Sequence, residues 1–298
     1  MKLSVVLAVK NEEENIGACL DSVKQIADEM IVVDDGSSDK TVEIAKKHGA
    51  KVFSFVHKNN FHETKQFAIE RAKGDWVLQL DADERVTKEL ADEIKEVVNF
   101  SDKENQSRVL SSSSTVHNTL SSKHLKLFLR HQKLIEQREG HLGKKTGEVV
   151  AFFITRRNFF LGRPLIHAGV YPDGVIRLIK NGKARLPAKS VHELMEIDGE
   201  VGWLFNDLEH HDSPTLKRYL DRMNRYTDLQ AKEFETKKIP ATNWNLFKYS
   251  FIVPSVNFLK LYFRHKGILD GRQGFLWSVF SSLHFPITYF KYYQSKLK

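Results

Sequence analysis

Cysteine is almost absent from this chain: Cys19 stands alone among 298 residues. A single thiol excludes a disulfide framework and a thiolate metal cluster. Long hydrophobic runs are also missing. Leu246–Phe263 is interrupted by Lys248, Pro254 and Lys260; Phe275–Phe290 carries no charge but spans only 16 residues and contains Pro286. A membrane-spanning helix needs about 20 apolar residues, so both stretches predict interfacial or re-entrant helices. The N-terminus, MKLSVVLAVKNEEEN, reaches charge too early for a signal peptide and reads as a strand. Nothing marks the chain for secretion, which places it in the cytoplasm.

Acids are scarce at one end. From Lys237 to Lys298, eight Lys and two Arg face one acid, Asp270, a local charge of +9. The rest of the chain, with 36 bases and 37 acids, is close to neutral. The same tail holds 15 of the 32 aromatic residues. Rings together with Lys and Arg suit an anionic membrane surface; the plainer reading is a basic helical subdomain packed on the rest. Nucleic acid is not the expected partner, because the aromatics coincide with apolar runs rather than exposed basic loops. The expected organisation is therefore a domain over 1–236 and a membrane-associating helical region over 237–298.

Apolar runs alternate with helical patterns through the first hundred residues. Leu3–Val9, Met30–Asp34, Lys51–Val56 and Asp75–Leu80 read as strands. Asn11–Gln25 (capped by Asn11), Lys40–His48, Phe61–Lys73 and Lys88–Asn99 read as helices. This alternation predicts βαβ units, an α/β fold with a mostly parallel sheet flanked by helices. Ser101–Ser122, rich in Ser, Asn, Lys and Thr, reads as a flexible insertion. Leu125–Gln137 and Leu216–Phe234 have helical spacing, and Val149–Thr155 and Val175–Ile179 are strand-like.

Two carboxylate clusters stand 46 residues apart: Asp34-Asp35 in IVVDDGSSDKT and Asp81-Ala82-Asp83-Glu84 in WVLQLDADE. Each ends a buried-strand pattern, and ligands of open α/β sheets bind at the carboxyl ends of strands. Two acids separated by one residue can hold a hard divalent ion by oxygen and leave positions for phosphate oxygens. The alternatives are a turn with an Asx hydrogen bond for Asp34-Asp35 and a helix-start acid cluster for Asp81 and Asp83.

SVVLAVKNEEENI, IVVDDGSSDKT and AKGDWVLQLDADE, in that order, resemble the family 2 glycosyltransferases of GT-A (Rossmann-like) fold. Residues 1–95 carry the resemblance most closely. RRNFFLGRPLIHAGVYPDGVIRLIK, KSVHE, HH and KGILDGRQGF resemble the branch that builds bacterial lipopolysaccharide core and related envelope glycans. The resemblance implies an inverting enzyme, Mg²⁺ or Mn²⁺, a nucleotide-sugar donor such as a UDP-sugar, and a glycan or lipid-linked acceptor. With the basic tail, it places the enzyme on the inner face of the cell membrane. A nucleotidyltransferase would want a glycine-rich loop after the first strand, which AVKNEEENI lacks. A non-catalytic scaffold would not need the intact Asp81-x-Asp83.

Carried over by position, Asp35 contacts the donor nucleotide with Asp34 beside it, and Lys10, Asn11 and Glu13 line its pocket. Lys65 lies near the pyrophosphate, Asp81 approaches the sugar and ribose, and Asp83 ligates the metal. The Glu-Asp pair that supplies the base in many members is not found after Asp83. The base is then Glu193, with His192 as a metal or diphosphate contact, or Asp173, which a Pro-Asp-Gly turn would equally explain. His210-His211 fit either a donor lid or a helix cap. Arg156-Arg157 and Arg163 fit either an anionic acceptor or a solvated surface.

Overall fold

The computed structural model describes residues 1–56, 60–111, 133, 143–144, 146–187 and 195–296. The chain divides into two compact units, 1–156 with 172–210, and 157–171 with 211–298. The helix at Leu216–Thr236 therefore lies in the second unit, although the charge count groups it with the first.

The first unit is built on a sheet whose central strands are buried on both faces. β1 (Leu3–Val9), β2 (Glu29–Asp34), β3 (Lys51–Ser54) and β4 (Trp76–Leu80) pair in parallel in the order β3-β2-β1-β4. Every residue of β1 and β4 is buried, which is why these segments read as unbroken apolar runs rather than alternating ones. Successive side chains of β1 feed opposite cores. Leu3, Val5, Leu7 and Val9 join residues of α1 (Ile16–Val23), α2 (Thr41–Lys47) and α4 (Lys88–Asn99); Val6 joins Ala68 and Ile69 of α3 (Phe61–Glu70). Helices thus cover both faces, as the alternation predicts.

Beyond β4 the sheet continues with antiparallel pairings. β5 (Glu84–Val86), β6 (Val149–Phe160), β8 (Asp173–Lys180) and β11 (Glu200–Ser213) extend it in the order β4-β8-β6-β11-β5. β7 (Arg163–Pro164) pairs with the end of β6, and β9 (Ala184–Arg185) with β10 (Glu196–Ile197). A bulge between Phe152 and Phe153 interrupts the β6–β8 register. Leu161 and Gly162 join β6 to β7 with φ of 50° and 78°, the pair of positive angles that a two-residue hairpin turn of type I′ requires.

One local expectation is corrected. The helix expected from Asn11 begins at Ile16. Asn11 is not its cap: it sits at φ 54° and its Oδ1 accepts the Ser38 N–H at 2.8 Å. The insertion expected to be flexible contains α5 (Asp102–Ser111). Ser101 and Glu104 start it reciprocally: Ser101 N–H donates to Glu104 Oε2 at 2.7 Å and Ser101 Oγ accepts the Glu104 N–H at 3.3 Å. This is a capping box, legible as Ser-x-x-Glu. Residues 112–122, and 125–137 apart from Lys133, lie outside the described residues, as do His192 and Glu193.

The second unit is helical apart from its strand ends. It contains α6 (Leu216–Thr236), a helical stretch over 243–264, a 3₁₀ turn at Gly267–Asp270, and α9 (Gly271–Lys296). The stretch over 243–264 alternates α7 (Asn243–Phe247), a π turn at Lys248–Ile252, α8 (Val253–Leu259) and a second π turn at Lys260–Arg264. Its core gathers Phe160, Leu165 and Tyr219, with Trp277 and Phe280 packed against them. No described helix is long and apolar enough to cross a membrane.

Candidate active site

The parallel register sets the site. Val9 pairs with Asp34 and Leu7 with Leu80, so Lys10, Asp35 and Asp81 follow neighbouring strand ends at one edge of the sheet. That edge is where open α/β sheets bind ligands. Lys10 is exposed there, and Asp35 is 1% exposed, its N–H donating to Val9 O at 2.9 Å. Asp34 folds the turn below them: its carboxylate accepts the N–H groups of Gly36 and Ser37 at 3.2 Å. The turn alternative therefore describes Asp34. Asn11 and Glu13 fasten two loops together. Asn11 N–H donates to Ser37 Oγ at 2.9 Å, Glu13 N–H to Asp39 Oδ2 at 3.1 Å, and Glu13 Oε2 accepts the Lys40 N–H at 2.9 Å.

Beneath this edge lies a cluster that pattern reading did not anticipate as a unit. Lys65 Nζ stands 2.5 Å from Asp81 Oδ1, and Arg177 Nη2 2.5 Å from Asp81 Oδ2. Arg177 also donates to Glu84 Oε1 from Nη2 at 2.8 Å and to Gln79 Oε1 at 2.7 Å. Arg156 donates to Asp173 Oδ2 at 2.6 and 3.0 Å and lies 3.7 Å from Glu84. Three cations thus meet three carboxylates, with Glu84 fully buried and Arg177 7% exposed. Burial opposes charge on Asp81, but Arg177 and Lys65 outweigh it and hold its carboxyl well below the usual carboxylate range. Burial likewise works against the Arg177 cation, and Asp81 and Glu84 overcome it.

These bonds redistribute the roles expected of the acids. Asp81, expected to meet sugar, ribose or metal, has both oxygens engaged by cations. Asp173 belongs to no Pro-Asp-Gly turn: it opens β8 and pairs in register with Arg156 of β6. Arg156 is consequently not a solvated surface group, whereas Arg163 is exposed. Arg177 and Gln79 were not anticipated, and Glu84 was read only as a member of the acid cluster. The available signal was an arginine inside the apolar run VIRLI, a position that a strand interior tolerates only with buried acids as partners.

Asp83 stands apart from the cluster. The β5–β11 register sets His210 opposite Glu84, which brings His210 Nε2 to 3.7 Å from Asp83 Oδ1. Burial first, then the Arg156 charge, pushes the His210 pKa down to about 4. Its ring is therefore neutral at neutral pH, and the contact is no ion pair. A neutral imidazole and a carboxylate at this separation fit two positions of one divalent ion. Among the described residues no group of three or more His, Cys, Asp or Glu is arranged as a metal site. His211, in the second unit, instead stacks on Phe159 with ring centroids 4.2 Å apart.

The chain is similar to known glycosyltransferases. The lipopolysaccharide core biosynthesis glycosyltransferase LpsC of Rhizobium meliloti is 26% identical over 99% of this chain and 93% of that protein. An uncharacterised glycosyltransferase of Rickettsia bellii is 46% identical, over only 32% of either chain. Glucosyl-3-phosphoglycerate synthase of Mycobacterium tuberculosis, solved with Mn²⁺ and UDP-glucose, shares 32% identity over 28% of this chain and 34% of that one, with a TM-score of 0.26. The model of glycosyl transferase family 2 matches residues 4–161, from β1 through the acid-bearing strand ends to the end of β6. This GT-A-fold chain belongs to glycosyl transferase family 2.

Proposed function

We propose that this enzyme moves a sugar, with inversion, from a nucleotide-sugar donor such as a UDP-sugar to a cell-envelope glycan or lipid-linked acceptor, working on the inner face of the cell membrane. The observation that carries the metal-dependent part is the convergence of Asp83 and neutral His210 at the carboxyl edge of the sheet. A Mg²⁺ or Mn²⁺ ion held there would offset charge on the leaving diphosphate. Asp35 and the loops fastened by Asn11 and Glu13 would hold the nucleotide, with Lys10 beside them. Lys65 and Arg177 keep Asp81 ionised and fixed, so that the Ala82-Asp83 turn is presented in one geometry.

In the transfer, the acceptor oxygen bonds to the anomeric carbon as the bond to the diphosphate breaks. The acceptor proton passes to a base. We assign that base to Glu193, with His192 beside it, because the Asp173 carboxylate is already gripped by the Arg156 guanidinium. Glu193→Gln should then lower turnover by about 100-fold or more, the usual scale for a lost general base.

The test is donor binding with Mn²⁺ present or chelated, read as protection against thermal unfolding across a panel of nucleotide sugars. A true donor stabilises the fold by mass action. Its Mn²⁺-dependent increment should disappear in Asp83→Ala and in His210→Ala. Full retention of that increment in both variants would refute the metal assignment.

A further inference from the structure

The helical stretch over 243–264 carries its large apolar residues on the outside. Trp244 is 63% exposed, Phe251 62% and Val256 59%; Phe247, Leu259 and Phe263 are each at least half exposed. The opposite side packs on α9. There Tyr249 stacks on Tyr289 at 4.9 Å, Tyr262 meets Phe275 at 5.7 Å, and Asn257 Nδ2 donates to Ser282 Oγ at 3.2 Å. The outer rings form a row, Trp244–Phe247 at 6.1 Å and Phe247–Phe251 at 5.5 Å.

The sequence spacing alone would not give this row. At 3.6 residues per turn, Trp244, Phe247, Phe251, Val256, Leu259 and Phe263 spread over about half the helix circumference. The two π turns correct the phase. Val253 N–H bonds to Lys248 O and His265 N–H to Lys260 O, each taking up about one extra residue per turn. Pro254 follows the first π turn and, lacking an N–H, cannot make the ordinary bond to the turn before it. With both turns in place, the six side chains fall on one face, roughly 30 Å long at about 1.5 Å per residue. π turns are rare and frequently found at functional sites; here they gather apolar side chains away from the protein core.

The tail's own exposed charges at the C-terminal end of this face are of one sign. Lys260, Arg264, Lys266 and Arg272 are exposed at its C-terminal end. Asp270, the one acid between Lys237 and Lys298, points inward, its side chain 7% exposed and held by His167 within the same unit. Together with the absence of any described helix able to cross a bilayer, this fits a helix lying in the plane of the headgroups, aromatics inward and cations on phosphate.

We infer that this π-phased face, Trp244 to Phe263, is a docking surface for an anionic lipid bilayer, with Lys260, Arg264 and Lys266 contacting lipid phosphates. This inference rests on the reading above that the enzyme works at a membrane, and supplies the surface for it.

The experiment uses the full chain and vesicles of phosphatidylcholine with or without phosphatidylglycerol, read by flotation and by Trp244 emission. Binding should need the anionic lipid, shift the emission to the blue, and weaken with salt. The triple variant Trp244→Ser, Phe251→Ser, Phe263→Ser should lose flotation. Lys260→Gln, Arg264→Gln, Lys266→Gln should weaken it by about 100-fold, at roughly 1 kcal/mol or about fivefold for each basic residue. Unchanged flotation in either variant, or a face that instead pairs two copies of the chain and loses that pairing in the aromatic variant, would overturn the inference. Donor turnover in solution is followed separately. If turnover persists without vesicle binding, only the lipid face fails; vesicle binding without any sugar transfer removes only the functional reading.

Discussion

Replacing Arg177 with Met tests whether the ion cluster under the active-site edge is held by its central guanidinium. The wild-type side chain is 7% exposed and bridges Asp81, Glu84 and Gln79. Methionine fills similar volume but leaves the buried Glu84 and the half-buried Asp81 short of a cation. Removing one member of a buried pair typically costs about 3–5 kcal/mol. The lower end is expected here, because Asp81 keeps Lys65 at 2.5 Å and Glu84 keeps the Asp81 N–H at 2.9 Å. The sign of the pH dependence is diagnostic. In the wild type the depressed Asp81 pKa stabilises the fold above the ordinary carboxylate range, and that contribution is lost only as pH falls through the depressed value. In the variant, burial without Arg177 favours the protonated acids, so the folded state gains protons earlier than the unfolded chain as pH falls. The stability deficit should therefore be largest near pH 7 and shrink towards about pH 5. Hydrogen exchange of the β4 and β8 amides reads this unit directly. A deficit under about 1 kcal/mol, or one independent of pH, would refute the reasoning. Arg177→Lys should recover part of the loss, since it restores the charge without the planar fork.

Three other perturbations probe the supporting structure. Asp270→Asn should destabilise the second unit by about 1.5–3 kcal/mol, because its two oxygens accept the His167 N–H at 2.8 Å and meet His167 Nδ1 at 2.7 Å; faster exchange of the His167 amide would report it. Gly274→Ala would set a methyl group 1.9 Å from Gly267 O, so the start of α9 must shift, at a cost of about 1–3 kcal/mol visible as a lower thermal midpoint. Ser101→Ala should remove about 1 kcal/mol from α5, measurable as faster amide exchange over its first turn.

The parallel half of the fold was legible because local pattern and tertiary environment coincide there. β1 and β4 are buried on both faces, so their runs are apolar throughout, and each acid cluster marks the residue at which the chain leaves the sheet. The antiparallel half was read only in fragments. β11 runs through GWLFNDLEHHD, where half-buried polar positions hide the strand period, and its pairing with β5 is a contact between residues 120 or more positions apart. That distance decides the metal reading. Asp83 is proposed from a motif, but His210 enters that proposal only through a register that sets it opposite Glu84. The reverse applies to Asp81, whose motif position suggests a ligand while its cations arrive from Lys65 on α3 and Arg177 on β8.

The glycines of KGILDGRQGF show a further limit of the same kind. A motif of this sort in an envelope-glycan resemblance invites a role in binding, yet the packing explains its spacing. Gly267 and Gly274 meet backbone to backbone, and Gly271 sits at φ 61° to turn the 3₁₀ segment into α9. Asp270 between them is consumed in fixing His167. The motif therefore builds a corner, and its consequence is electrostatic as well as steric. By turning the tail's one acid inward, the corner keeps that carboxylate off the surface that exposes Lys260, Arg264, Lys266 and Arg272. A sequence count of +9 says only that the tail is basic; the corner at 267–274 turns the tail's own carboxylate inward, while Lys237, Lys291 and Lys296 are paired with Glu233, Asp228 and Glu235 of α6.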